Sequence, residues 1–99
     1  MRKIILLCAA GMSTSMLVQR MKEAAAADGY ECEIDAHPVA QASTVAADAD
    51  IVLLGPQVRF QLAKVQTQVP CPVESIDMTA YGTMNGKAVI DHVREVLGE

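Results

Sequence analysis

Apolar residues along the chain alternate between short solid runs and stretches with the period of a helix. Ile4 to Leu7 form the first run within residues 3–7, apolar on both faces, which predicts a strand in the middle of a parallel sheet. From about Ser13 to Ala27 the pattern is helical, with Leu17, Val18, Met21 and Ala25 inward, Gln19, Arg20, Lys22 and Glu23 outward, and Gly29 as the stop. Glu31 to Ala36 then alternates, Cys32, Ile34 and Ala36 against Glu31, Glu33 and Asp35, the mark of an edge strand closed by His37-Pro38. Val39 to Ala47 is an Ala-rich, weakly patterned helix. Ile51 to Leu54 is a second wholly apolar strand ending at Gly55-Pro56, and Gln57 to about Thr67 is helical through Val58, Leu62 and Val65. Pro70 and Pro72 delimit a last strand near Val73 to Ile76. Asp77 to Gly86, with Tyr81-Gly82 and Asn85-Gly86, reads as loop, and Lys87 to Leu97 is a closing helix with Val89, Val93 and Val96 or Leu97 inward.

Strands alternating with helices predict a three-layer α/β fold: a four-stranded parallel sheet with helices on both faces. Two apolar strands and two half-polar ones set the spatial order 2-1-3-4. In that order the chain leaves strands 1 and 3 in opposite directions, so a crevice opens at their carboxyl ends between the Cys8 loop and the Gly55-Pro56-Gln57 loop. A length of 99 residues and a hydrophobic fraction of 52% fit one domain over 1–99 with a core that needs no staple.

The candidate chemistry sits at the first strand–helix junction, Cys8-Ala9-Ala10-Gly11-Met12-Ser13-Thr14-Ser15. A helix start presents unpaired N–H groups and the positive end of the peptide dipole, so a small-residue loop folded over it can hold a phosphate-like dianion. The same field favours thiolate, making Cys8 a nucleophile, while Ser13, Thr14 and Ser15 add hydroxyl donors and Gly11 lets the backbone amides turn inward. The plainer alternatives are a buried core cysteine and ordinary caps.

The formal charge of −4, with 8 scattered Lys and Arg, argues against nucleic acid or an anionic membrane surface as partner. Three cysteines with no close pair suggest neither a disulfide framework nor zinc, and point to a reducing cytosol; no metal or cofactor is expected. Arg2-Lys3 before an apolar run imitates an export signal, but Ile4 to Leu7 is too short for its apolar core and Leu7 is not the small residue that cleavage needs. No run approaches the ~20 residues of a membrane span. Cys32 and Cys71 fall at strand starts, at the far end of the sheet from Cys8. His37 ends a strand near Cys8 and reads as a turn residue more than a relay, while His92 is expected to be solvated. Met12 and Met16 are either core or adaptable partner contacts.

A cysteine, a small-residue loop and a helix also describe the protein tyrosine phosphatases, which place an arginine six residues after the cysteine and a serine or threonine at the seventh. Those positions here are Thr14 and Ser15, and the chain has no Asp-Pro dipeptide to supply a leaving-group acid. Without the guanidinium clamp the loop is suited to holding phosphate more than hydrolysing it. A small cysteine-dependent phosphatase or arsenate reductase is the alternative enzyme, and a non-catalytic interaction module the third class.

The stretch Cys8 to Val18, with Ala49-Asp50-Ile51-Val52-Leu53-Leu54-Gly55-Pro56-Gln57-Val58 and Tyr81-Gly82, closely resembles the lactose/cellobiose family of enzyme IIB of the phosphoenolpyruvate-dependent sugar phosphotransferase system. The resemblance extends along nearly the whole chain and is weakest from His37 to Ala47. It implies a fold like that of the low-molecular-weight tyrosine phosphatases and a sugar phosphotransferase activity. Cys8 would accept a phosphoryl group from phosphohistidine on enzyme IIA and pass it to a sugar carried by the membrane enzyme IIC, and such transfer between proteins demands a reactive atom exposed at a rim. Ala9, Ala10, Gly11, Met12, Ser13, Thr14 and Ser15 would hold the phosphoryl oxygens, with Gln57 and Tyr81 either approaching the phosphate or shaping the adjoining loops. A β-linked disaccharide such as cellobiose, chitobiose or lactose is the implied sugar. A monomer in the cytoplasm, recruited to the transporter without inserting into the membrane, is the implied setting.

Overall fold

The computed structural model describes residues 1–9 and 12–99, with the side chains of Met12, Ser13 and Thr14 excepted. Strands β1 (Arg2–Cys8), β2 (Cys32–Pro38), β3 (Ile51–Leu54) and β4 (Val73–Ser75) form one sheet in the order β2-β1-β3-β4, every pair parallel, as the polarity of the strands required. The register sets Leu7 opposite both His37 of β2 and Leu54 of β3.

Helices α1 (Met12–Ala27) and α5 (Gly86–Leu97) lie on one face, with the short α4 (Met78–Gly82). Their Leu17, Met21, Ala80, Val89, Ile90 and Val93 close over Ile4, Leu6, Ile34, Ile51 and Leu53. Helices α2 (Ala42–Val45) and α3 (Leu62–Gln66) cover the other face, where Ala42, Ala46, Val58 and Val65 meet Ile5, Leu7, Val52, Leu54 and Val73. β1 and β3 are therefore buried on both sides, which is why their runs are unbroken while β2 alternates. Helix α1 stops where Gly29 takes φ +67°, a left-handed turn closed by Gly29 N–H to Ala26 O (3.2 Å) and Tyr30 N–H to Ala25 O (2.9 Å).

Three stretches differ from the sequence pattern. Val39 to Ala47 is a 3₁₀ turn, Val39–Gln41, followed by the single-turn α2, because Pro38 starts it without a side-chain cap and Ser43, Thr44 and Val45 are weak helix formers. Gln57 to Thr67 likewise divides into a 3₁₀ segment, Pro56–Gln61, and α3. Asp77 to Gly86 is not loop throughout: the Asp77 carboxylate accepts Ala80 N–H at 3.0 Å and starts α4, and the Asn85 side chain accepts Ala88 N–H at 3.1 Å and starts α5 one residue early.

Candidate functional site

Side chains alternate along β1, so Cys8 continues the Ile4–Leu6 row toward the α1 side of the sheet. As the strand's last residue, it precedes the first helical residue, Met12, by four positions. The sulfur is not exposed at a rim: Cys8 retains only 3% of its accessible surface. Strands on both sides enclose it, and exposure begins at Ala9, one residue further on. Its Sγ lies 3.8 Å from the His37 carbonyl oxygen, the geometry of a weak S–H donor and its acceptor.

Across the pair, Gly55 N–H donates to Leu7 O at 2.9 Å and brings Gly55 level with Cys8 on the same face. A Cβ on Gly55 would stand 3.8 Å from Cys8 Cβ and 3.1 Å from Gln57 Oε1. The Gln57 carboxamide is thus folded back beside the cysteine. Gln57 also lines a shallow groove of about 330 Å³ with Pro56, Met78, Tyr81 and Gly82. Cys8 does not line that groove; the Gly55–Gln57 turn stands beside the cysteine on one side and borders the groove with Tyr81 on the other. The facing of the Cys8 and Gly55-Pro56-Gln57 loops was legible from strand order; that Gly55 itself stands level with Cys8 follows from register.

Of the proposed phosphate loop, Ala9 is exposed and Ser15 lies exposed in the first turn of α1. Ala10, Gly11 and the side chains of Met12, Ser13 and Thr14 lie outside the described residues. Met16 is exposed. His37 projects the opposite way from Cys8, since its register partner is Leu7; only its backbone carbonyl meets the sulfur. His92 is not simply solvated: its Nε2 lies 2.9 Å from Glu74 Oε1, linking α5 to β4.

The other thiols are remote. Cys32 pairs with Arg2, six residues before Cys8, or about 20 Å at ~3.3 Å per residue, against a disulfide limit of about 7 Å between Cα atoms. Cys71 lies two residues before Val73, which pairs with Val52, and so sits toward the same far end. Burial pushes both the Cys32 and Cys71 thiols up. Among the described residues, no cluster of His, Cys, Asp or Glu could hold a metal ion. Among those residues, too, no helix is long and apolar enough to cross a membrane.

Parallel α/β order β2-β1-β3-β4, with a cysteine ending the central strand β1 four residues before helix α1, defines a three-layer α/β domain of the low-molecular-weight tyrosine phosphatase type. The family model for the lactose/cellobiose-specific IIB subunit of the phosphotransferase system matches residues 3–92, and the chain belongs to that family. It is a IIB component of a sugar phosphotransferase system. The oligo-beta-mannoside-specific EIIB component of Bacillus subtilis (strain 168) is 43% identical over 98% of this chain and 97% of its own length. The galactose-specific EIIB component of Lactococcus lactis subsp. cremoris (strain MG1363) and the cellobiose-specific one of Lactococcus lactis subsp. lactis (strain IL1403) are each 43% identical over 88% of both chains. Among solved structures, the cellobiose-specific IIB component of Borrelia burgdorferi superposes with a TM-score of 0.73 at 41% identity, covering 91% of this chain and 85% of that one. The lactose-specific IIB domain of Streptococcus pneumoniae gives 0.84 over 96% of both chains at 16% identity, a likeness of fold alone.

Proposed function

We propose that Cys8 is the residue phosphorylated in this chain, by phosphohistidine on enzyme IIA, and that it gives the group to a sugar carried by enzyme IIC. The observation that carries the reading is the convergence of Cys8, the start of α1 and the Gly55–Gln57 turn on one sheet face at the strands' carboxyl ends. In the first step the deprotonated sulfur forms the S–P bond as the N–P bond breaks, its electron pair returning to the imidazole, which takes up a proton. In the second, a sugar hydroxyl forms the O–P bond and releases its proton while the S–P pair returns to sulfur. Positioning and charge stabilisation suffice for both steps. The amides of Ala9 to Ser15 and the hydroxyls of Ser13, Thr14 and Ser15 hold the phosphoryl oxygens at the positive end of α1.

Cys8 keeps only 3% of its accessible surface and exposure begins one residue on, at Ala9, so the sulfur gains the access that transfer needs when the donor docks at that end of β1. Relatives named for oligo-beta-mannoside, galactose and cellobiose stand at one level of identity, so resemblance alone does not choose among sugars. We assign a β-linked disaccharide as the class. Residues 1–99 act as one domain and as a monomer, in the cytoplasm at the transporter.

The test is incubation with phosphorylated enzyme IIA and peptide mapping of the label. Cys8→Ser is expected to abolish labelling with an unchanged circular dichroism spectrum. Label retained on that variant, or mapped to His37, would refute the assignment.

A further inference from the structure

We propose that the Gln57 carboxamide is a binding group for the phosphoryl group on Cys8, working through the slot that Gly55 leaves open; this rests on Cys8 being the phosphorylated residue. Gly55 extends β3 by one residue, level with Cys8, and alternation aims its missing substituent toward the same face as the Cys8 sulfur. Gln57 fills that place with its own side chain, Oε1 coming within 3.1 Å of where a Gly55 Cβ would stand. The turn is anchored on both sides, by Gly55 N–H to Leu7 O (2.9 Å) and by Val58 N–H to Gly55 O (3.0 Å), with Val58 buried. Gln57 itself is exposed, so its backbone is fixed while its side chain can turn.

The chemistry of the group fits the task. A carboxamide offers two N–H donors without charge, and half a rotation of its terminal bond presents either its NH₂ or its oxygen to the slot. A phosphoryl oxygen on Cys8 Sγ extends from an almost fully enclosed sulfur, and the Gln57 carboxamide lies across the Gly55 slot from the Cys8 Cβ. An arginine there would stabilise the charge that builds as water attacks; a neutral amide orients the group with a weaker pull, in keeping with a carrier that has Thr14 and Ser15 where phosphatases have Arg and Ser/Thr.

The experiment follows phosphoryl transfer from phosphorylated enzyme IIA to Cys8 in Gln57→Ala, Gln57→Glu, Gly55→Ala and the Gly55→Ala/Gln57→Ala double variant. The expected result is a loss of roughly 10- to 100-fold in Gln57→Ala, the range of one hydrogen bond to a charged group, and a larger loss in Gln57→Glu, an isosteric acceptor that repels phosphate. Gly55→Ala, which displaces the carboxamide, should slow transfer, and the double variant should be no slower than Gln57→Ala, since both changes remove one contact. Thermal unfolding of the Gln57 variants should match the parent, because the side chain is exposed. Transfer to Cys8 at the parental rate in Gln57→Glu, or equal rates in the Ala and Glu variants, would overturn the proposal. Parental protein labelled elsewhere than at Cys8 would instead overturn the reading on which it rests.

Discussion

Gly86 lies against the backbone of Arg20: a Cβ at Gly86 would stand 2.3 Å from the Arg20 carbonyl carbon, 2.5 Å from its oxygen and 2.5 Å from Met21 N. This is how the first turn of α5 comes close enough to α1 for Val89, Ile90 and Val93 to share a core with Leu17 and Met21. Alanine in place of glycine at a helical position ordinarily stabilises by roughly 0.5–1 kcal/mol. Here the obstacle is backbone that cannot rotate away, and Gly86→Ala should destabilise by about 1–3 kcal/mol. Gly82, where a Cβ meets nothing within 4 Å, provides the contrast. Gly82→Ala should be neutral or mildly stabilising. Urea unfolding of both variants reads the two signs, and a stabilised Gly86→Ala would contradict the close helix approach.

Strand order was legible because burial leaves a direct trace in polarity: Ile4 to Leu7 and Ile51 to Leu54 are apolar on both faces, and Glu33 and Asp35 mark the free side of β2. The site was legible where it depends on chain order, since a cysteine ending β1 must stand at a helix start. What depends on register was not. That Gly55 stands level with Cys8 within the two facing loops, and that the His37 carbonyl meets the sulfur, become visible only when β3 and β2 are aligned with β1. The caps form an intermediate case. Asp77 and Asn85 are favoured N-cap types, but Tyr81-Gly82 and Asn85-Gly86 are also turn signals, and local chemistry alone does not choose between them.

At the opposite end of the sheet, Tyr30 and Glu99 form a pH-dependent contact. Tyr30 Oη donates to Glu99 Oε1, and Arg2 holds Glu99 Oε2 from Nη2 at 2.6 Å. Desolvation, and then the hydrogen bond to Glu99, raise the Tyr30 phenol to about 12, while Glu99 is lowered by the hydrogen bonds from Arg2 and Tyr30. The folded state therefore keeps the phenol proton after the unfolded chain has lost it at about pH 10. The stability linked to this proton is fully present below about pH 10 and declines as pH rises toward 12. Phenolate absorbance of the folded protein should show a step near pH 12 that Tyr30→Phe removes. A step near pH 10 that disappears in Tyr30→Phe would show that the contact is not made in solution.

His37 provides the test that separates proximity from participation. It is one residue from the end of β2, and an imidazole there could accept phosphate or relay a proton to Cys8. Register argues otherwise: His37 pairs with Leu7, whose side chain belongs to the α2–α3 face, while Cys8 turns toward α1. What reaches the sulfur is the His37 carbonyl at 3.8 Å, which every residue type supplies. His37→Ala should therefore leave the rate of phosphoryl transfer to Cys8 within about threefold of the parent, the span of an ordinary substitution of ~0.5 kcal/mol. Its pH dependence between 5 and 8, where a histidine relay would titrate, should also be unchanged. A loss of a hundredfold, or a pH profile flattened by the substitution, would place the imidazole in the transfer step and reverse the facing inferred from β2.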